Sequence, residues 1–362
     1  MNDIVDTYSY QCSECHRVLP VETTRWCCDC GGVLDLIDRS PLRSIDQLIG
    51  EGLTSSRYLS ALPLKAASLE RVSLGTGRTP LLQLSQTHYV KCDHLLPTGS
   101  FKDRGVEVLV GVALELSAPS MVVDSSGNAG ASLAAHGARA EIPVTVFAPR
   151  SAPLTKLSQA RYYGAIVELI DGDRDAVRTA TVEHITKTGS LYASHVESPF
   201  FALGTQCWAF EVWEQLGHAP SHVVVPVGNG SLLLGISRGF SLLHSLGVIN
   251  ALPQLVAAQA VGWSPLAESI DGMMPVLADG IAIKAPRRIR EMRRLTTAPH
   301  GAVITVTDDE IVNAEHELAR KGIWVEPTAA AAWAAASQLR VDPVSEVVVN
   351  LGGAGFKRTS LT

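Results

Sequence analysis

Short β-branched runs alternate along most of this chain with longer alanine-rich stretches of helical periodicity. Met121-Val-Val-Asp124 precedes a helical stretch from about Ala129, and Pro143-Val-Thr-Val-Phe147 precedes one that begins near Pro153. The alternation continues through AIVELI (165–170), SLYAS (190–194), HVVVPV (222–227), LVAAQA (255–260), VITV (303–306) and EVVVNL (346–351). Repeated strand-then-helix units predict an α/β fold with a parallel sheet covered by helices on both faces. Residues 223–227 are apolar at every position, as a doubly buried strand requires. Residues 44–73 read as a helical arm, with Ile45, Leu48 and Ile49 at helical spacing. Residues 10–36 show almost no apolar periodicity and read as a separate small module, ending near Asp38 to Pro41.

That module is dominated by cysteine. Cys12-Ser-Glu-Cys15 and Cys27-Cys-Asp-Cys30 are two C-x-x-C pairs separated by eleven residues. Each pair can turn two thiolates toward one point, so Cys12, Cys15, Cys27 and Cys30 are the expected ligands of a structural zinc, with Cys28 outside the set. A metal-free remnant of such a ribbon is the bland alternative. A nucleic-acid role is disfavoured, because Arg17 and Arg25 are, apart from His16, the only basic residues of the ribbon before Arg39.

Composition narrows the field further. The chain has 362 residues, 46% of them hydrophobic, enough for a substantial core. Its formal net charge of -6 supplies no basic field for a nucleic-acid backbone. No apolar run approaches the roughly 18 residues that span a bilayer, and the first residues lack a secretory pattern, so the expectation is a cytoplasmic protein acting on a small molecule.

Three glycine-bearing motifs carry the chemistry. Pro97-Thr-Gly-Ser-Phe-Lys-Asp-Arg-Gly105 leads into an apolar helical run. Asp124-Ser-Ser-Gly-Asn-Ala-Gly130 joins a strand to a helix, where free backbone N–H groups suit a carboxylate. Pro226-Val-Gly-Asn-Gly-Ser-Leu232 repeats the arrangement, with amides able to surround a phosphate at the positive end of a helix. Alone, the lysine reads as a solvated side chain and each loop as a plain turn.

Taken in this order, the motifs resemble those of the threonine synthase family of pyridoxal phosphate enzymes, within the tryptophan synthase β-like group, and specifically its zinc-ribbon-bearing branch. The similarity extends through Gly280-Ile-Ala-Ile283, Val325-Glu-Pro-Thr-Ala329 and Leu351-Gly-Gly-Ala-Gly-Phe-Lys357. The resemblance implies a type II fold of two open parallel-sheet lobes with the cofactor at the carboxyl ends of the strands. It divides the chain into a ribbon (1–40), an arm and the start of the larger lobe (41–100), a smaller lobe (101–198) and the rest of the larger lobe (199–362). It also implies a homodimer. In the family's pattern Lys102 carries the cofactor covalently and moves protons at the substrate carbons. Ser125, Ser126, Gly127 and Asn128 hold the substrate carboxylate, and Asn128 also touches the cofactor. Gly228, Asn229, Gly230, Ser231 and Leu232 form the cofactor-phosphate loop.

The chain departs from that pattern at several places. Where relatives carry Glu-Gly-x-Lys-Thr preceded by an arginine for the substrate phosphate, this sequence has Leu203, Gly204, Thr205, Gln206 and Cys207, with Phe201 aligned to the arginine. A phosphate dianion is costly to desolvate without cationic partners. Gly352 stands where relatives commonly place a threonine whose hydroxyl faces the pyridine nitrogen, and Ala129 replaces another threonine. His136, His195 and Trp324 read as isolated core or surface residues, and the arginines from Arg287 to Arg294 as a solvated helix face. Glu326 is placed to border the ring. The family default is threonine formation from O-phosphohomoserine. The alternatives are β-elimination or β-replacement on a serine-, phosphoserine- or acyl-serine-like amino acid, and a non-catalytic binding protein that keeps the fold.

Overall fold

The computed structural model describes residues 4–152, 154–270 and 276–357. The chain forms two compact units. One combines the residues up to Gly77 with Lys102–Gly204, and the other combines Arg78–Phe101 with the residues from Thr205 onward.

The first unit contains the ribbon, a small antiparallel sheet in which Tyr8–Cys12 lies between Val18–Leu19 and Leu34–Asp38. Residues 44–73 do not form one continuous arm. They break into Ile45–Leu48, a 3-10 turn at Ser55–Ala61 and Ala66–Val72. The chain between the first two passes so close at Gly52 that a Cβ there would lie 2.2 Å from the Ser56 hydroxyl oxygen. The helix expected near Pro153 is described over Leu154–Tyr162; Pro153 itself lies outside the described residues.

The unit's main sheet has four parallel strands in the order Ile166–Ile170, Val144–Pro149, Met121–Val123, Leu191–Tyr192. The ribbon packs on this unit through aromatic edges. Tyr8 and Tyr10 meet Phe200 at centroid distances of 6.1 and 5.9 Å, and Trp26 meets Tyr192 at 5.6 Å.

The second unit is built on a six-stranded sheet in the order Gly301–Val306, Gln254–Ala260, His222–Pro226, Val347–Asn350, His88–Lys91, Leu81–Gln83. All neighbours are parallel except the last pair. The central strands are apolar over Val223–Val225 and Val347–Val349 because helices cover them, among them Pro327–Gln338, whose alanines from Ala329 to Ala336 are buried against the sheet. Small side chains let that helix approach the strands closely.

Lys91 illustrates what such burial demands. It is fully enclosed, and its ammonium lies 2.7 Å from the Glu211 carboxylate, 2.6 Å from Thr79 O and 2.8 Å from Gln215 Oε1. A charge can be buried at this depth only because it is paired and hydrogen-bonded.

Candidate functional site

Lys102 opens the helix Lys102–Glu115 and is half-buried. Its ammonium lies 5.8 Å from the centroid of the Phe201 ring, which also meets the His195 imidazole edge-on at 5.9 Å. Part of the His195 surface is open. Even so, desolvation by the surrounding protein, then the charges of Lys102 and Arg174, hold its pKa well below the usual range. A neutral imidazole therefore stands beside the lysine.

The next residue, Asp103, is buried. It accepts from the Ser132 hydroxyl at 2.5 Å, and the His136 Nε2 lies 3.8 Å away. His136 Nδ1 lies 3.0 Å from Val72 O, which fixes the ring. Burial opposes a positive charge on His136, but Asp103 and then Glu107 outweigh it and raise the imidazole's pKa. Sequence reasoning missed this network; the isolated His136 is a fully buried buttress for the residue next to Lys102.

Ser125, Ser126 and Gly127 form the turn between the strand Met121–Val123 and the helix Asn128–Ala140, and Gly127 is the helix N-cap. The turn folds back on the helix so tightly that a Cβ at Gly130 would lie 2.2 Å from Ser125 O. All four predicted carboxylate-binding residues are therefore gathered at one helix start, half-buried.

In the second unit, Gly228, Asn229 and Gly230 link the strand His222–Pro226 to the helix Ser231–Ser245. Gly230 has φ +79, which glycine adopts without strain, and a Cβ there would fall 2.1 Å from the Met292 sulfur. At Gly228 a Cβ would come 3.1 Å from Gly280 O. The loop is thus a bare backbone cradle ahead of a long helix, with Asn229 and Ser231 half-buried and Leu232 anchored in the core. That form suits a phosphate.

The segment after the strand Val347–Asn350 is laced to the 97–101 loop. Phe101 N donates to Gly352 O at 2.9 Å, and Ala354 N to Gly99 O at 2.9 Å. Glu326 borders this turn; a Cβ on Gly353 would strike its carboxyl carbon at 2.1 Å. Trp324 packs on Gly355 in the same way.

Two expectations need adjustment. The metal-binding geometry gathers Cys12, Cys15, Cys28 and Cys30, with all four sulfurs within 4.8 Å of one another. Cys28 takes the place expected for Cys27. The reason is the turn: Cys28 N donates to Gly32 O as Cys12 N donates to Arg17 O, so Cys28, like Cys12, opens its knuckle. Cys12 Sγ also accepts from the Glu14 and Cys15 amides at 3.4 Å; although burial opposes it, these bonds and the neighbouring thiols lower its pKa to about 6. Thiolate character of this kind suits a metal ligand. Among the arginines, Arg288 is not on a solvated face; it is largely buried and holds Glu291 at 2.9 Å.

At the departures from the family pattern, Phe201 is 1% exposed, and its ring stands where a Cβ on Gly105 would be only 2.4 Å away. Gln206 is buried and accepts from Arg238 Nε at 3.0 Å. Among the described residues no helix is long and apolar enough to cross a membrane.

Comparison with known proteins places this arrangement. The family model described as pyridoxal-phosphate dependent enzyme matches residues 72–353. The chain is 34% identical to the threonine synthase of Methanocaldococcus jannaschii, over 96% of this chain and 92% of that protein. It is 33% identical to that of Mycobacterium tuberculosis, over 72% and 75% respectively. Among solved structures it is similar in fold to the O-acetylserine dependent cystathionine beta-synthase of Helicobacter pylori, with a TM-score of 0.68 and 20% identity over 83% of this chain and 98% of that one. Maize serine racemase gives a TM-score of 0.67 at 21% identity, over 81% and 94%. The chain belongs to the pyridoxal-phosphate dependent enzymes and, within them, to the threonine synthase family.

Proposed function

We propose that this enzyme catalyses elimination or replacement on an activated amino acid in the manner of a threonine synthase, and that it prefers a leaving group smaller or less charged than the phosphate of O-phosphohomoserine. When bound, pyridoxal phosphate supplies an electron sink for negative charge at the substrate's α-carbon. Lys102 would carry the cofactor covalently, and its amine would move protons between neighbouring substrate carbons. The turn from Ser125 to Asn128 takes the substrate carboxylate on its amides and hydroxyls, and Asn128 also contacts the cofactor. The cradle of Gly228, Asn229, Gly230, Ser231 and Leu232 takes the cofactor phosphate; its glycine-only geometry supports that role. Cys12, Cys15, Cys28 and Cys30 hold a structural zinc. The working form is a cytoplasmic homodimer, a reading that rests on family likeness.

The observation that carries the substrate preference is Phe201, a buried aromatic where the resemblance places an arginine. Each charge-assisted hydrogen bond lost to a phosphate is worth about 1.5–3 kcal/mol, or roughly 10- to 100-fold in affinity. Specificity constants for O-phosphohomoserine, O-phosphoserine, O-acetylserine, O-acetylhomoserine, serine and threonine test the reading. An acylated or unmodified amino acid should lead. If O-phosphohomoserine leads and threonine is released, the preference is refuted and plain threonine synthase activity stands.

A further inference from the structure

Asn350 is the last residue of the strand Val347–Asn350, in the interior of the six-stranded sheet, and its side chain is completely buried. Its amide nitrogen donates to Asp93 Oδ2 at 3.1 Å, while Asp93 Oδ1 accepts from the Thr79 hydroxyl at 2.8 Å. A carboxylate is an acceptor, so the amide must present its NH2 to Asp93 and turn its carbonyl oxygen the other way. That oxygen has no hydrogen-bond partner among the described residues. A buried, unmatched acceptor held in a fixed direction calls for a donor that the chain itself does not supply.

The direction is defined by Gly352. A Cβ at this position would lie 2.8 Å from Asn350 Oδ1 and 3.0 Å from the Phe101 ring. Glycine and asparagine are therefore fitted to each other: the amide oxygen reaches the space that a side chain at 352 would enter. The strand is also in register with its neighbour, Val224 opposite Val349. The loop of Gly228 and Gly230 and the turn at Gly352 thus leave adjacent strands at the same edge of one sheet, where ligands of α/β folds bind.

We propose that Asn350 Oδ1 is the hydrogen-bond acceptor for the pyridine nitrogen of the cofactor, standing in for the threonine hydroxyl that Gly352 lacks. The proposal rests on the cofactor reading above and goes beyond it. A hydroxyl can give or accept a proton at the ring nitrogen, whereas an amide oxygen only accepts. Asn350, oriented and polarised by Asp93, therefore favours the protonated ring, the form that withdraws electrons more strongly.

The test uses the full-length protein reconstituted with pyridoxal phosphate labelled with 15N in the ring. In the parent protein the bound resonance should lie at the protonated position. In Asn350→Ala it should move toward the unprotonated position, with cofactor affinity about tenfold weaker. Gly352→Ala leaves the bond to Asp93 available and crowds the amide oxygen and, less closely, the Phe101 ring, so it remains informative if Asn350→Ala fails to fold; its resonance should move in the same direction. Glu326→Gln should leave the resonance in place. A resonance unmoved in the alanine variants, or moved only by Glu326→Gln, overturns the assignment to Asn350. Absence of any bound resonance in the parent protein overturns the cofactor reading as well.

Discussion

Replacing Cys28 by serine removes one of four sulfurs that lie within 4.8 Å of one another, and specifically the one 3.6 Å from Cys15 Sγ. Structural zinc sites of this kind bind with roughly 10–16 kcal/mol, so an average thiolate accounts for about 3 kcal/mol. A serine hydroxyl is a much poorer zinc ligand. Zinc affinity should therefore fall by about two orders of magnitude in Cys28→Ser. Cys27 lies outside the quartet, and Cys27→Ser should bind zinc close to the parent level. Competition against a chromophoric chelator, with zinc per chain measured by elemental analysis, gives both values. The reasoning is refuted if Cys27→Ser loses the metal while Cys28→Ser keeps it, or if neither change alters the affinity.

Three other outcomes follow from the geometry. Lys102→Ala should fold yet accept no borohydride-fixed cofactor label; a label found on another lysine in the parent protein would remove Lys102 from its role. Lys91→Met strands the buried Glu211 carboxylate and should cost about 3–5 kcal/mol in urea unfolding, most of it recovered in Lys91→Met/Glu211→Leu; a loss below about 1 kcal/mol would mean the pair is not buried in solution. Burial raises the Glu107 carboxyl above its ordinary pKa of 4.5, outweighing the charge of His136 and the hydroxyls of Ser55, Ser73 and Thr76, which act to lower it. The folded state thus holds that proton more tightly than the unfolded chain, and stability drains away as pH rises from about 4.5 through the raised value. Glu107→Gln removes the penalty, so its gain in Tm over the parent should be small near about pH 4 and grow toward about pH 8; a pH-independent difference would contradict this.

The strands and glycine loops were legible in the sequence because their signals are local. A doubly buried strand is apolar at every position, as in Val223 to Val225, and a backbone cradle needs glycine where a Cβ would collide, as at Gly230. What could not be read depends on distant partners. Lys91 looks like a solvated lysine until Glu211 and Gln215 close over it. Asn350 looks like a polar strand end until Asp93, 257 positions away, fixes its amide. In the ribbon the C-x-x-C spacing singles out Cys27, and only the folded turn, in which Cys28 N donates to Gly32 O, brings the Cys28 sulfur to the other three instead. The helical arm failed for a different reason, since apolar spacing near Ile45 carries no information about the turn at Gly52.

The strand His88–Lys91 pairs on one side with Leu81–Gln83, a few residues away, and on the other with Val347–Asn350. During synthesis on the ribosome its second neighbour emerges only after some 250 further residues, at a pace of about 5–20 residues per second. For that interval the nascent chain carries a strand with an open edge, while Lys102–Gly204, complete much earlier, already has the partners for its own four-stranded sheet. Closing the larger sheet is therefore a late, long-range event, and the open edge at Val90 is the place where premature pairing with another chain would compete with it.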